Sequence, residues 1–183
     1  VTLLVERILR DAGYRTGCAC TEGVLVDGAW IVRGDEAGSR GLWWATRRRG
    51  LQALLAETAR GGILRYGLGF SLCHASVVTN VHADHLGLHG VSSVESMAAV
   101  KAILPERTRP DGVTVLNGDQ PLVRDMAAKS SARAVYFTLA EPLESWEYCW
   151  FVRDGAIFCK RGPSVERVVD VDRVQLAHGG AVR

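Results

Sequence analysis

The apolar run Leu54-Leu55-Ala56 meets a single acid, Glu57, and then breaks into glycine at Gly61, Gly62, Gly67 and Gly69. A short apolar run bounded by turn residues predicts a buried strand. Glu57 then stands at the strand's carboxyl end, which is where open α/β sheets bind ligands. Glycines after it allow backbone N–H groups to approach an anion, and Arg60 and Arg65 bring positive charge alongside. A carboxylate for a hard cation beside a backbone for phosphate points to a metal–nucleotide site. The plainer alternative is an acid that partners a helix N-terminus and glycines that only turn the chain.

A second cluster strengthens the chemical reading. The run Ala75 to Val78 is again apolar in character and ends in the polar residues Asn80, Asp84 and His85. Two parallel-type strands, each ending in candidate ligands, are expected to converge on one crevice. Asn80 has its own bland alternative, a polar strand end satisfied by backbone. His82 and His89 have no matching partner and read as loop residues.

The elements that would position these residues follow from periodicity. Thr2 to Asp11 places Leu4, Val5, Ile8 and Leu9 on one helical face, with Glu6, Arg7 and Arg10 elsewhere, and Gly13 closes the helix. Arg15 to Cys20 predicts a strand, and Val24–Val26 and Trp30–Val32 flank the hairpin signal Asp27-Gly28. Gly38 to Arg47 predicts a helix whose Trp43-Trp44 pair packs on a helix face. Strands over 51–56 and 74–79 deliver the two clusters, with a short helix over 61–66 between them. A helix capped by Ser92 or Ser93 runs to about Leu104, where Pro105 stops it. A strand over 113–116, a helix from Pro121 to Lys129 and a strand over 134–138 follow. Three short strands over 148–152, 156–160 and 167–171 close the pattern, with turns at Asp154-Gly155 and Gly162-Pro163. Strands alternating with helices predict an α/β fold, a mostly parallel sheet flanked by helices with a small antiparallel β appendage.

Composition narrows the class. A chain of 183 residues holds one sizeable core, and 48% hydrophobic and 23% charged residues are ordinary for a globular protein. A formal charge of +2 is too small to argue for nucleic acid or a membrane surface, and Arg47-Arg48-Arg49 is the one compact basic run. No apolar stretch approaches ~20 residues. The cysteines Cys18, Cys20, Cys73, Cys149 and Cys159 are odd in number and irregular in spacing, which fits buried thiols in a reducing cytoplasm better than a disulfide framework or zinc site.

The block Glu57-Thr58-Ala59-Arg60-Gly61-Gly62-Ile63-Leu64-Arg65, with Gly67-Leu68-Gly69-Phe70 and Asn80-Val81-His82-Ala83-Asp84-His85-Leu86-Gly87, resembles the Mur-ligase-like central domain of cyanophycin synthetases. Thr21-Glu22-Gly23 with Gly34-Asp35, and Val115 to Val123, extend the resemblance over most of the chain. The wider Mur ligase and folylpolyglutamate synthetase superfamily shares a sparser pattern, the strand-end Glu and N-x-x-x-D-H. The resemblance implies a P-loop NTPase-like fold, ATP and Mg²⁺ as cofactors, and amide-bond formation through an acyl phosphate. It assigns Glu57 and His85 to catalysis and to metal, and Asn80, Arg60, Asn117 and Asp119 to the nucleotide side. Imidazole is not a favoured Mg²⁺ ligand on softness grounds, so a His85 that caps a helix or bonds Asp84 stays open. The sequence departs from the family at Cys18, Ala19, Cys20 and Glu22, where more threonine and an Asp are expected. The family's bridging lysine falls on Ala99, and Lys101, about 200° further round a helix, is expected to face away.

The expectation is therefore a single central domain over 1–183, truncated at both ends, with the family's phosphate loop missing before Val1 and its C-terminal ligase domain missing after Arg183, a fragment expected to be inactive by itself. The implied partners are arginine and a carboxylate acceptor such as polyaspartate, with no nucleic acid, no membrane and self-assembly left open. The alternatives are another Mur-type ligase, for a peptidoglycan precursor or a folate, and a non-catalytic scaffold of the same fold.

Overall fold

The amino-terminal strand, Thr16–Cys20 (β1), is buried along its whole length, which is why it runs Thr-Gly-Cys-Ala-Cys with no charge. The computed structural model describes residues 1–83 and 92–174. The described chain divides into two units, one over Val1–Ser71 and one from Leu72 onward.

In the first unit β1 is flanked by Gly23–Val26 (β2) and Ala53–Ala56 (β4), and Ala29–Arg33 (β3) completes a sheet of order β3-β2-β1-β4. β1 and β4 run parallel with Ala19 opposite Ala56, and β1–β2–β3 are antiparallel. Asp27 and Gly28 both take positive φ, 48° and 82°, the two left-handed positions that a tight hairpin of this twist demands. The unit's helices are Thr2–Asp11 (α1), Ser39–Thr46 (α2) and Arg60–Tyr66 (α3).

α1 spans the expected residues with the opposite face inward. Glu6 is 2% exposed, whereas Leu4, Val5 and Ile8 are 46%, 37% and 58% exposed. The buried carboxylate is satisfied: Glu6 Oε1 accepts from Thr16 Oγ1 at 2.7 Å and from Arg10 Nε at 3.2 Å. A polar group buried with partners costs little, so periodicity alone gives the wrong side. The tryptophans of α2 also depart from expectation. Trp43 and Trp44 are exposed, meeting edge-to-face at 4.9 Å with the Arg47 guanidinium 4.2 Å from the Trp43 ring.

In the second unit the strands Cys73–Val78 (β5), Thr108–Asn117 (β6), Arg133–Thr138 (β7), Tyr148–Arg153 (β8), Ala156–Arg161 (β9) and Ser164–Asp170 (β10) form one sheet in the order β10-β9-β8-β7-β6-β5. β5 to β8 are mutually parallel and β8 to β10 antiparallel, as the alternation of elements predicts. Asp154 and Gly155 turn β8 into β9 with φ of 47° and 69°. Hydrogen bonding thus groups the strands in two sheets, of which the larger is mostly parallel.

One face of the larger sheet carries Val94–Lys101 (α4), Ile103–Glu106 (α5) and Pro121–Arg124 (α6), the last continued by a 3-10 turn over Asp125–Lys129. Their core joins Val78, Met97, Ala98, Leu116, Val123 and Met126. Ser93 caps α4, its hydroxyl accepting from Ser96 N while Ser96 Oγ accepts from Ser93 N. The helix stops at Lys101, ahead of Pro105. A new short helix begins at Ile103 and places Pro105 in its first turn, where no amide donor is needed. All five cysteines are free, and only Cys73 is not fully buried.

Candidate functional site

Parallel pairing of β4 with β1 carries one residue past the strand, because Glu57 N donates to Ala19 O at 2.8 Å. That bond aims the side chain back across the end of β1. There Glu57 Oε2 accepts from Thr21 N at 3.1 Å and from Thr21 Oγ1 at 3.3 Å. Thr21, the one threonine retained at this strand end, thus fixes one carboxylate oxygen. Oε1 accepts no hydrogen bond from the described residues.

No group of three or more His, Cys, Asp or Glu gathers among the described residues. A caged metal has no donors there. Mg²⁺ is held otherwise, by one or two carboxylates with phosphate oxygens and retained waters completing the octahedron. A half-buried carboxylate with one oxygen fixed and one open fits that demand.

The glycines after Glu57 take a different form from the expected anion loop. Gly61 and Gly62 lie within α3, and Arg60 is its first, half-buried residue. The glycine that the packing requires is Gly69, at φ 78°, where a Cβ would sit 2.8 Å from Ser39 Cβ.

The other strand end lies in the second unit, and three side chains hold its backbone. Asn117 Nδ2 donates to Thr79 O at 2.8 Å, Lys101 Nζ to Asn80 O at 2.7 Å, and Val81 N to Gln120 Oε1 at 2.8 Å. The half-buried Asn80 keeps its side-chain amide free of hydrogen bonds among the described residues. Asp84 and His85, like His89, lie outside the described residues.

Asn117 and Asp119, expected beside the nucleotide, are engaged in the fold. Asn117 Oδ1 accepts from Asp119 N at 2.9 Å. Asp119 Oδ1 accepts from Thr138 Oγ1, and its Oδ2 accepts from Leu139 N at 2.9 Å. The two residues tie the ends of β5, β6 and β7 together.

Lys101 reverses its expected direction: it reaches the end of β5, while Ala99 is exposed. It sits in the last turn of α4, and its long stem spans the gap to Asn80. Gln120 was invisible as a site residue and the reach of Lys101 was unforeseen, because each acts on backbone far away in sequence. The bonds span 39 and 21 residues.

A held carboxylate closes a strand of the first unit and a pinned polar turn closes one of the second, each at the kind of strand end where open α/β sheets bind ligands. The chain belongs to the Mur ligase middle domain family, whose model matches residues 1–154. It is 40% identical over 138 residues to a cyanophycin synthetase of Synechocystis sp., a match covering 75% of this chain and 16% of that protein. The chain thus spans about a sixth of that relative's length. Among solved structures, a UDP-N-acetylmuramoyl-L-alanyl-D-glutamate–2,6-diaminopimelate ligase shares the fold with a TM-score of 0.70 at 17% identity, covering 91% of this chain and 36% of that one. E. coli FolC in complex with DHPP and ADP matches with a TM-score of 0.63 at 18% identity, covering 90% and 44%.

Proposed function

We propose that this chain is the ATP-handling part of an amide-bond-forming ligase of the cyanophycin synthetase kind. Such an enzyme joins arginine to side-chain carboxylates of a polyaspartate acceptor, through an acyl phosphate, with release of ADP and phosphate. The observation that carries the reading is Glu57, held at the carboxyl end of β4 by Thr21, with Oε1 unbonded among the described residues. The family match across both units, over residues 1–154, supports reading residues 1–183 as one middle domain.

Bound Mg²⁺ would neutralise the phosphate oxygens as the terminal phosphate is transferred. Glu57 would hold it through Oε1, with His85 as a second ligand, and Thr21 would fix the carboxylate's direction. Arg60, the first residue of α3, is the guanidinium that would meet a phosphate or an acidic substrate. The amide of Asn80, on a backbone fixed from three sides, would contact the nucleotide, with Asn117 and Asp119 shaping that side from below. A reducing, cytoplasmic setting is supported by five free thiols. No helix of the described residues is long and apolar enough to cross a membrane.

Calorimetry of Mg²⁺-dependent ATP binding tests the proposal, on this chain and on a version extended upstream. The expected outcome is binding that Glu57→Ala weakens at least about tenfold, the range seen when metal sites lose a supporting group. Thr21→Val is expected to weaken it less, because the Thr21 backbone N–H remains. Absence of binding by both folded proteins would overturn the ligase reading and leave a scaffold of the same fold.

A further inference from the structure

The second face of the six-stranded sheet, opposite the helices, holds a hollow of about 290 Å³. Its walls include Arg133 and Val135 of β7, Tyr148 and Trp150 of β8, and Cys159 and Arg161 of β9. The pairing explains this grouping. Tyr148 lies opposite Arg161 and Trp150 opposite Cys159, while Phe137 pairs with Trp150. Alternation then puts Arg133 and Val135 on the same face as these residues. The core residues Cys149 and Phe151 point to the other face, and Lys160 follows them, donating Nζ to Leu143 O at 3.1 Å and Glu144 O at 3.0 Å.

The two arginines differ from others of this unit. Arg109, Arg153 and Arg167 each hold a carboxylate, of Asp111, Glu141 and Asp170. Arg133 and Arg161 hold none among the described residues, and both are exposed. Arg133 lies 4.8 Å from the centroid of the Tyr148 ring. That stacking aligns the guanidinium and leaves its edge donors for a ligand. Trp150, 41% exposed, adds a second aromatic wall. Glu166 of β10 stands opposite Cys159.

We propose that this hollow binds the carboxylates of an acidic peptide. Arg133 and Arg161 stand on the strands either side of β8, roughly 10 Å apart across the sheet at about 4.8 Å per strand. Guanidinium forks on two strands flanking an exposed aromatic row match acidic side chains carried along an extended chain, which can meet both at once. The hollow is separate from the strand ends of its own unit. Arg133 opens β7 and Thr138 closes it beside Asp119, about 17 Å away at ~3.3 Å per residue. As a holding point for a polyaspartate acceptor it rests on the ligase reading; as a site for acidic peptide it does not.

The test is fluorescence anisotropy of a labelled ten-residue aspartate peptide titrated with the full chain, without nucleotide. Each of Arg133→Ala and Arg161→Ala is expected to weaken binding about tenfold, the worth of one bidentate charge-assisted contact, and the pair more. Arg109→Ala, which removes the same charge elsewhere in the unit, is expected to stay within about twofold. Equal loss with Arg109→Ala would overturn the proposal in favour of diffuse attraction. Displacement of the peptide by equimolar inorganic phosphate would overturn it in favour of a phosphate site, and no binding by the folded chain would end it. Glu57→Ala separates the two readings: peptide binding is expected to survive it, whatever becomes of ATP binding.

Discussion

Gly118 shows how a single missing methyl shapes the second unit. A Cβ there would sit 2.3 Å from Trp146 Cη2 and 2.7 Å from Cζ3. The indole cannot retreat, because it is 6% exposed and stacks on Tyr136 with centroids 4.4 Å apart. Gly118 is therefore what lets the turn after β6 pass under Trp146 and bring Asp119 to Thr138. Gly118→Ala is expected to destabilise the fold by about 1–3 kcal/mol, the usual cost of overpacking. Urea unfolding followed by tryptophan fluorescence reads it as a lowered midpoint at unchanged slope. A midpoint equal to the parent's would mean that the ring moves freely and the packing argument fails. Thr21 works at the same scale by a different means: its short side chain and its own N–H both reach one oxygen of Glu57.

At the scale of elements, the end of β5 is held by side chains from β6, α4 and the turn before α6. Each bond is worth roughly 1 kcal/mol net, but together they fix three consecutive backbone groups. Gln120→Ala removes the acceptor of the Val81 amide and is expected to speed its hydrogen exchange about tenfold, with β7 amides unchanged. Unchanged exchange at Val81 would show that Gln120 does not hold the loop. Element identities here were largely legible in the sequence. The turns Asp27-Gly28 and Asp154-Gly155 are local chemistry, and the ends of α1 follow from spacing and Gly13. The direction α1 faces was not legible, since burial of Glu6 depends on a hydroxyl ten residues away. Nor was the division into two sheets, because strand pairing is settled between segments distant in sequence. Of the candidate site, Glu57 and Asn80 stood out as polar residues closing apolar runs. Thr21 was legible only through the resemblance, the direction of Lys101 was read the other way, and Gln120 emerges only once the chain is folded.

Across the whole molecule, burial of thiols links stability to pH. Cys18 in the first unit and Cys149 in the second are both 0% exposed. Burial pushes the Cys18 thiol from 9.0 up to about 12, with Cys20 and Glu6 adding to the rise. It pushes Cys149 from 9.0 to about 11 against the pull of Lys160. The unfolded chain loses these protons near the ordinary value, while the folded chain keeps them. Between pH 9 and the raised values the unfolded state binds fewer protons, so stability falls as pH rises. Below pH 9 both states are protonated and the contribution is fully present. The slope is at most about 1.4 kcal/mol per pH unit for each thiol, and less with solvent screening. By pH ~10.5 the loss is on the order of 1–2 kcal/mol per thiol, several degrees in melting temperature for a chain of this size. Cys18→Ala with Cys149→Ala is expected to start lower by the small cavities it leaves, yet to lose less between pH 8.5 and 10.5 than the parent. Thermal melts across that range decide it: parallel curves for parent and variant would mean that the buried thiols do not set the alkaline limit.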